Sequence, residues 1–285
     1  MAAKIIAIAG ASGYVGKAFT SALLDAPAFD VRILTRESSL ESAPLQDFKK
    51  RGASLHAISY EDEASIVKAL QGVDVLVATV AGNALVSAQI PLIKAAKSAG
   101  VKLFVPSEYG GAFENDEHPS PVIQGKKTVL KAAKEAGLPV AVVSNGGFPE
   151  YCFIPPLGYA FADKKVTVWG DGNHKVTWTT VRSVADWVAN VLKTVPLEQL
   201  KDKHLNIQGD SASPNEIVKL WEQKHNDKLT VDYRPFKELE DRIKADKNDF
   251  LAAILDEWHS GRGELKPLSN DLYPGWKPET VESVL

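Results

Sequence analysis

Cysteine is almost absent from these 285 residues. Cys152 is the only one, so no intrachain disulfide and no multi-cysteine metal site can form. No histidine or basic residue stands close to it in sequence to activate a thiolate, and it reads as a packing residue rather than a nucleophile. His56, His174, His204, His225 and His259 show no metal-ligand spacing, so no metal is expected. An excess of one charge is missing too. The formal net charge is −3, with both signs mixed along the chain, which argues against nucleic acid and membrane surfaces as partners. No apolar run reaches membrane-spanning length. The chain enters its first apolar strand at once, so no leader is expected and a cytoplasmic location is. What remains, 45% hydrophobic and 8% aromatic, can bury the core of one large α/β domain or of a nucleotide domain with a smaller lobe.

Strand and helix patterns alternate through the first half. Ile5-Ile6-Ala7-Ile8 reads as a buried strand and Ala18 to Leu24 as the helix after it. Val31 to Arg36, Ser54 to Ile58, Val73 to Val80, Lys102 to Pro106 and Pro139 to Val143 read as further strands. Between them lie helices at Glu63 to Leu70, Leu85 to Ser98 and Gly125 to Ala136, the last two stopped by Gly100 and Gly137. This alternation requires right-handed crossovers and a doubly wound parallel sheet of the Rossmann type, with ligands at the carboxyl ends of the strands. After Asn145 the rhythm breaks at Gly147, Pro149, Pro155, Pro156 and Gly158. A strand Lys165 to Trp169 turns through Gly170 to Asn173 into a second at Lys175 to Thr179, and a helix follows at Val184 to Leu192. His204 to Ile207 is expected to return to the main sheet, and Pro214 to Lys224, Lys237 to Ala245 and Asp249 to Trp258 read as helices of a smaller lobe. The expected division is a nucleotide domain over 1–150 and a substrate lobe over 151–285, interleaved with the main sheet.

The segment from Ile8 to Lys17 carries the most information. Gly10, Gly13 and Gly16 stand as G-x-x-G-x-x-G between a strand and a helix, where backbone N–H groups and a helix dipole converge on one point. Gly10, Ser12, Gly13, Tyr14, Val15 and Gly16 are therefore candidates for holding the pyrophosphate of a dinucleotide. The second strand closes on Arg36, twenty residues beyond Gly16, where NAD-binding chains carry an acidic residue. A guanidinium there can grip a 2′-phosphate, which favours NADP(H), with Ser38 beside it. The alternative is that Arg36 is solvated and Glu37 meets the ribose. Thr79 and Val80 leave the fourth strand where the adenosine half and pyrophosphate should pass. Pro106 and Ser107 leave the fifth near the nicotinamide ribose, and Asn145 and Phe148 leave the sixth beside the nicotinamide.

Four segments resemble one family: Gly10 to Gly16, Phe104-Val105-Pro106-Ser107-Glu108-Tyr109-Gly110, the helix bearing Lys126, and Ser144-Asn145-Gly146-Gly147-Phe148. Together they are similar to the isoflavone reductase and phenylcoumaran benzylic ether reductase group, within the NmrA-like branch of atypical short-chain dehydrogenases. Motif order and spacing agree over roughly the first 160 residues and only loosely beyond. The resemblance implies an NADPH-dependent reductase of small planar, phenylpropanoid-like aromatic compounds. It also implies that Lys126, twelve residues before Leu138 of the Gly137-Leu138-Pro139 segment, is the catalytic lysine and touches the cofactor. Chemistry adds that a lysine at a helix start beside a nicotinamide has a depressed pKa and can exchange a proton near neutrality. Without the resemblance, Lys126 reads as a solvated lysine among Lys127, Lys131 and Lys134.

The Y-x-x-x-K pair of the usual short-chain dehydrogenases, as it stands at Tyr233 to Lys237, lies across Pro235 and past the sixth strand, and reads as coincidence. Glu108 reads as a loop-fixing residue and His118 as a solvated loop histidine. Tyr151, Phe153 and Tyr159, with Trp178, are candidate walls for an aromatic substrate, although such clusters are usually core. A different class stays open: a regulatory protein that binds the dinucleotide without turnover and signals its redox state. The expected partner is a small aromatic molecule and the expected state a monomer or homodimer.

Overall fold

Ile5–Ala9 (β1) carries no polar side chain, and Ile6, Ala7, Ile8 and Ala9 are all buried, as a central parallel strand requires. The computed structural model, which describes residues 2–112 and 120–285, sets β1 between Asp30–Thr35 (β2) and Val75–Ala78 (β4). Ser54–Ala57 (β3) pairs with β2, and Leu103–Val105 (β5) with β4, giving a parallel sheet in the order β3-β2-β1-β4-β5. A parallel bridge from Phe104 to Val140 leads into Ala141–Ser144 (β6).

Alternate residues of these strands serve two core layers. Ile6, Ile8, Ile33, Val75 and Val77 meet Phe19 and Leu23 of Tyr14–Asp25 (α1) and Leu45 and Phe48 of Ala43–Lys50 (α2). Ala7, Leu34, Leu76 and Phe104 meet Ile66 and Leu70 of Glu63–Leu70 (α3) and residues of two further helices. The helix expected from Leu85 to Ser98 is two helices, Ala84–Ser87 (α4) and Gln89–Ala99 (α5), broken at Ala88. Pro91 supplies the reason: it lacks an N–H, and its ring excludes a continuous turn over the carbonyl four residues back. The next helix, Pro121–Ala136 (α6), starts one turn before Gly125, where its sequence pattern begins, because Pro121 suits a first helical position.

The second half departs from this rhythm where the glycines and prolines require. Pro149–Cys152 (α7) is a single turn, and Tyr159–Ala160 (β7), Lys165–Trp169 (β8) and Val176–Trp178 (β9) follow. The strands on either side of the Gly170–Asn173 turn enter different sheets. β8 lies antiparallel to β7 and parallel to Thr230–Arg234, whereas β9 pairs antiparallel with Asp210–Ala212. Val181–Thr194 (α8) buries Val184, Trp187 and Val188 in the same layer as α1, and Lys203–Asn206 (β10) lies parallel to β6. The chain therefore returns to the main sheet after entering the smaller lobe. That lobe closes a third core of Val166, Val168, Trp178, Trp221 and Trp258 with Pro214–His225 (α9), Lys237–Ala245 (α10) and Phe250–His259 (α11). Among the described residues no helix is long and apolar enough to cross a membrane.

Candidate functional site

The turn between β1 and α1 is tied by the Gly13 N–H, which donates to the Gly10 carbonyl at 2.9 Å. Gly10 has φ +91°, and a β-carbon on it would lie 2.8 Å from the Thr79 backbone. A β-carbon on Gly16 would lie 2.0 Å from the Gly10 oxygen, so α1 can approach β1 only through glycine. Gly13 caps α1 without a side-chain hydrogen bond, and the first turn, Tyr14, Val15 and Gly16, presents N–H groups that no helical carbonyl can reach. Ser12, Gly13 and Tyr14 are exposed. The geometry suits an anion.

Beside this turn a cavity of about 450 Å³ opens at the ends of β1, β2 and β4, its wall including Gly10, Ser12, Arg36, Ser39, Tyr60 and Val80. The exposed Arg36 makes no ion pair among the described residues, leaving its guanidinium available to a ligand. Ser39 belongs to this wall, one residue beyond the Ser38 expected from sequence. Tyr60, which the sequence did not single out, stands close enough for Arg36 to act on its hydroxyl, although burial dominates and holds that hydroxyl above its usual range. Thr79 and Ser107 knit the strand ends together. The Thr79 hydroxyl donates to the Ala9 carbonyl at 2.9 Å, and the Ser107 hydroxyl to the Val80 carbonyl at 2.6 Å. The Ser107 N–H donates to Gln89 Oε1 at 2.9 Å, and Pro106 is buried behind it.

Lys126 is not a solvated lysine: it is 8% exposed. Its Nζ donates to the Glu108 carbonyl and lies 3.7 Å from the Glu108 carboxylate, itself buried. Burial pulls the amine below the usual lysine range, against the opposing pull of the Glu108 and Glu257 carboxylates. The helix dipole is not the cause, since α6 begins at Pro121 and Lys126 sits in its second turn, where the dipole's influence has faded. Glu108 thus does more than fix its own loop. His118 lies outside the described residues.

Beyond β6, Gly146 (φ +69°) and Gly147 allow the chain to cross β9. β-Carbons there would meet the Thr177 carbonyl at 2.0 Å and the Trp178 ring at 2.5 Å. Asn145 is fully buried, and its Oδ1 has no hydrogen-bond partner among the described residues. An unpaired buried acceptor costs about 1–3 kcal/mol, which points to a ligand N–H or a water. Phe148 meets Tyr14 edge to face at 6.3 Å, and Tyr151 meets Tyr14 at 5.5 Å. Tyr14 and Tyr151 remain exposed, at 46% and 62%. The structure places Tyr159 and Trp178 differently, inside the third core. Trp178 donates from Nε1 to the Ala212 carbonyl at 3.0 Å, and Phe153 packs over both rings. With their faces taken by core neighbours, they back Phe153 rather than offer a surface. Burial pushes the Cys152 thiol up to about 12, in keeping with a packing residue.

Fold and site together define a class: an α/β protein with a Rossmann-type nucleotide sheet and a buried lysine–carboxylate pair at the carboxyl ends of its strands. Within that class, the chain belongs to the NmrA-like family, which it matches over residues 2–261. It is 34% identical over 246 residues to a phenylcoumaran benzylic ether reductase of Pinus taeda, covering 82% of this chain and 79% of that one. A phenylcoumaran benzylic ether reductase of Ginkgo biloba is 33% identical over 304 residues, covering 98% and 97%. Among solved structures, AtPrR2 with NADP+ and (+)-pinoresinol superposes with a TM-score of 0.85 at 24% identity, covering 99% of this chain and 97% of that one. That likeness is one of fold.

Proposed function

We propose that this chain is an NADPH-dependent reductase of the isoflavone reductase-like group, acting on a small planar aromatic substrate with Lys126 as general acid/base. The observation that carries the reading is Lys126 itself, buried at the carboxyl ends of the strands and held on Glu108. A lysine kept there for packing alone would be an expensive choice, whereas a proton carrier needs that desolvation. The residues present fit the cofactor. The Gly10–Gly16 turn and the start of α1 would hold the pyrophosphate, Arg36 the 2′-phosphate, and the unpaired Asn145 Oδ1 the carboxamide of the nicotinamide. When bound, NADPH supplies a hydride to an electron-poor carbon of the substrate. Lys126 gives a proton to the substrate oxygen that gains electron density, and water restores that proton. Tyr14, Phe148 and Tyr151 offer aromatic faces to a flat substrate, with Phe153 behind them.

A panel of aromatic enones, ethers and ketones, followed by NADPH consumption, tests this. Lys126→Ala should keep NADPH affinity within a few-fold and lower turnover by roughly 10²–10⁴. Lys126→Arg should be nearly as damaging, because a guanidinium does not release its proton at workable pH. Full turnover by Lys126→Ala overturns the mechanism, and no turnover of any compound by the native protein favours the regulatory reading.

A further inference from the structure

Two groups of one residue converge on the Lys126 amine: the Glu108 carbonyl, which accepts from Nζ, and the Glu108 carboxylate, 3.7 Å away. Both side chains are nearly enclosed, at 10% and 7% exposure. The supports on either side are firm. The Glu108 N–H donates to the Pro106 carbonyl at 2.9 Å, and Ser107 is bonded to α5 through Gln89 and to the end of β4 through Val80. On the helix side, Gly125 brings α6 against α4, where an added β-carbon would sit 3.1 Å from Val86 Cγ2. The pair is therefore set by the sheet and two helices rather than by a flexible side chain finding a partner.

We propose that Glu108 is the positioning residue for Lys126, its buried carboxylate holding the ammonium charged and in place until a substrate oxygen takes the proton. This rests on reading Lys126 as the proton carrier. Burial favours the neutral amine, and a neutral amine has no ammonium proton to give to the substrate oxygen. At 3.7 Å the carboxylate favours the charged amine without a bidentate lock. Glu257, on α11 of the smaller lobe, also acts on Lys126, in the same direction as Glu108 and more weakly. The two carboxylates reach the amine from the two lobes.

The test is a titration that needs no substrate. In the full chain carrying ¹³C-lysine, the Lys126 Cε resonance is assigned by its loss in Lys126→Arg and followed against pH. Glu108→Gln keeps the main-chain acceptor and removes the charge, so the midpoint should fall by about one to three pH units. The alkaline limb of kcat should move by the same amount, with NADPH affinity within a few-fold of native. Glu257→Gln should shift the midpoint the same way by less. An unmoved or raised midpoint in folded Glu108→Gln overturns the proposal, whatever happens to turnover, since loosened packing solvates the amine and moves its midpoint up rather than down. If Glu108→Gln does not fold, Glu108→Asp withdraws the charge by one methylene; its midpoint should also fall, and an unchanged one overturns the proposal. Full turnover by Lys126→Ala removes the proton-carrier reading instead, and the NMR midpoints report on the pair independently of that result.

Discussion

A β-carbon on Gly16 would sit 2.0 Å from the Gly10 oxygen, and one on Gly10 2.8 Å from the Thr79 backbone, but one on Gly13 would meet the Gly10 oxygen at 3.3 Å. Gly13 also has φ −72°, open to any residue. Gly13→Val should therefore still fold, at a modest cost in stability from that contact, while its branched side chain covers the N–H groups of the first turn and abolishes NADPH binding. Gly16→Ala should damage the turn itself and lower both stability and binding. Denaturation midpoints with cofactor titration check the pair, and wild-type NADPH affinity in Gly13→Val would place the nucleotide elsewhere. Arg36 allows a second test at the same scale. If its guanidinium holds the 2′-phosphate, NADPH should bind at least tenfold tighter than NADH, about 1.4 kcal/mol, and Arg36→Ala should remove most of that preference. Equal affinities in the native protein, measured by calorimetry, would return Arg36 to the role of a solvated residue.

The elements differ in how far their own residues define them. Ile5–Ala9 and Val75–Ala78 are legible because a strand buried on both faces must be apolar throughout, and the glycine turn because only glycine fits so close to Thr79. The break at Ala88 and the early start of α6 turn on single prolines, Pro91 and Pro121, inside patterns that otherwise read smoothly. The Glu108–Lys126 pair, Tyr60 beside Arg36 and the enclosure of Trp178 are not local properties. Each depends on segments that meet only after the sheet has assembled, so no spacing in the chain announces them. Ser213 is the opposite case. It opens α9 with a full capping box: its hydroxyl accepts from the Glu216 N–H at 3.2 Å, and its own N–H donates to Glu216 Oε2 at 2.8 Å. Ser213→Ala should cost about 1 kcal/mol of stability, read as a lowered urea midpoint, and leave NADPH affinity unchanged because α9 belongs to the smaller lobe. A midpoint equal to native would show that the cap is dispensable there.

At the scale of the molecule, α11 ties the third core to the segment that leaves β6 and to Lys126. Trp258 packs on Trp178 at 4.9 Å and approaches Gly147 of the strand-end segment, while Glu257 acts on Lys126. The last residue of α11 is His259, 7% exposed, its ring against Trp169 and its Nδ1 without a partner among the described residues. Burial holds this imidazole at about 4 against the opposing pull of the Trp169 backbone, while His174 adds to the lowering and Asp171 opposes it. In the unfolded chain His259 titrates near its ordinary value of about 6.5. Between those values the unfolded state binds the proton and the folded state does not, so stability rises with pH across the window and is lost on acidification through it. At pH 5 the loss relative to neutral pH should be about 2 kcal/mol, before most paired carboxylates protonate. His56, also held low by burial, adds in the same direction, and Asp186, whose carboxyl burial pushes up, opposes it. His259→Phe keeps an aromatic ring on Trp169 and removes the titration, so urea midpoints taken from pH 7.5 to 4.5 should fall less steeply than in the native protein. Because α11 carries Glu257 and packs toward Gly147, catalytic loss on acid exposure should follow the unfolding of the native protein and be delayed in the variant. Identical pH dependence in the two would mean that His259 is already solvated, and that acid opens the molecule elsewhere.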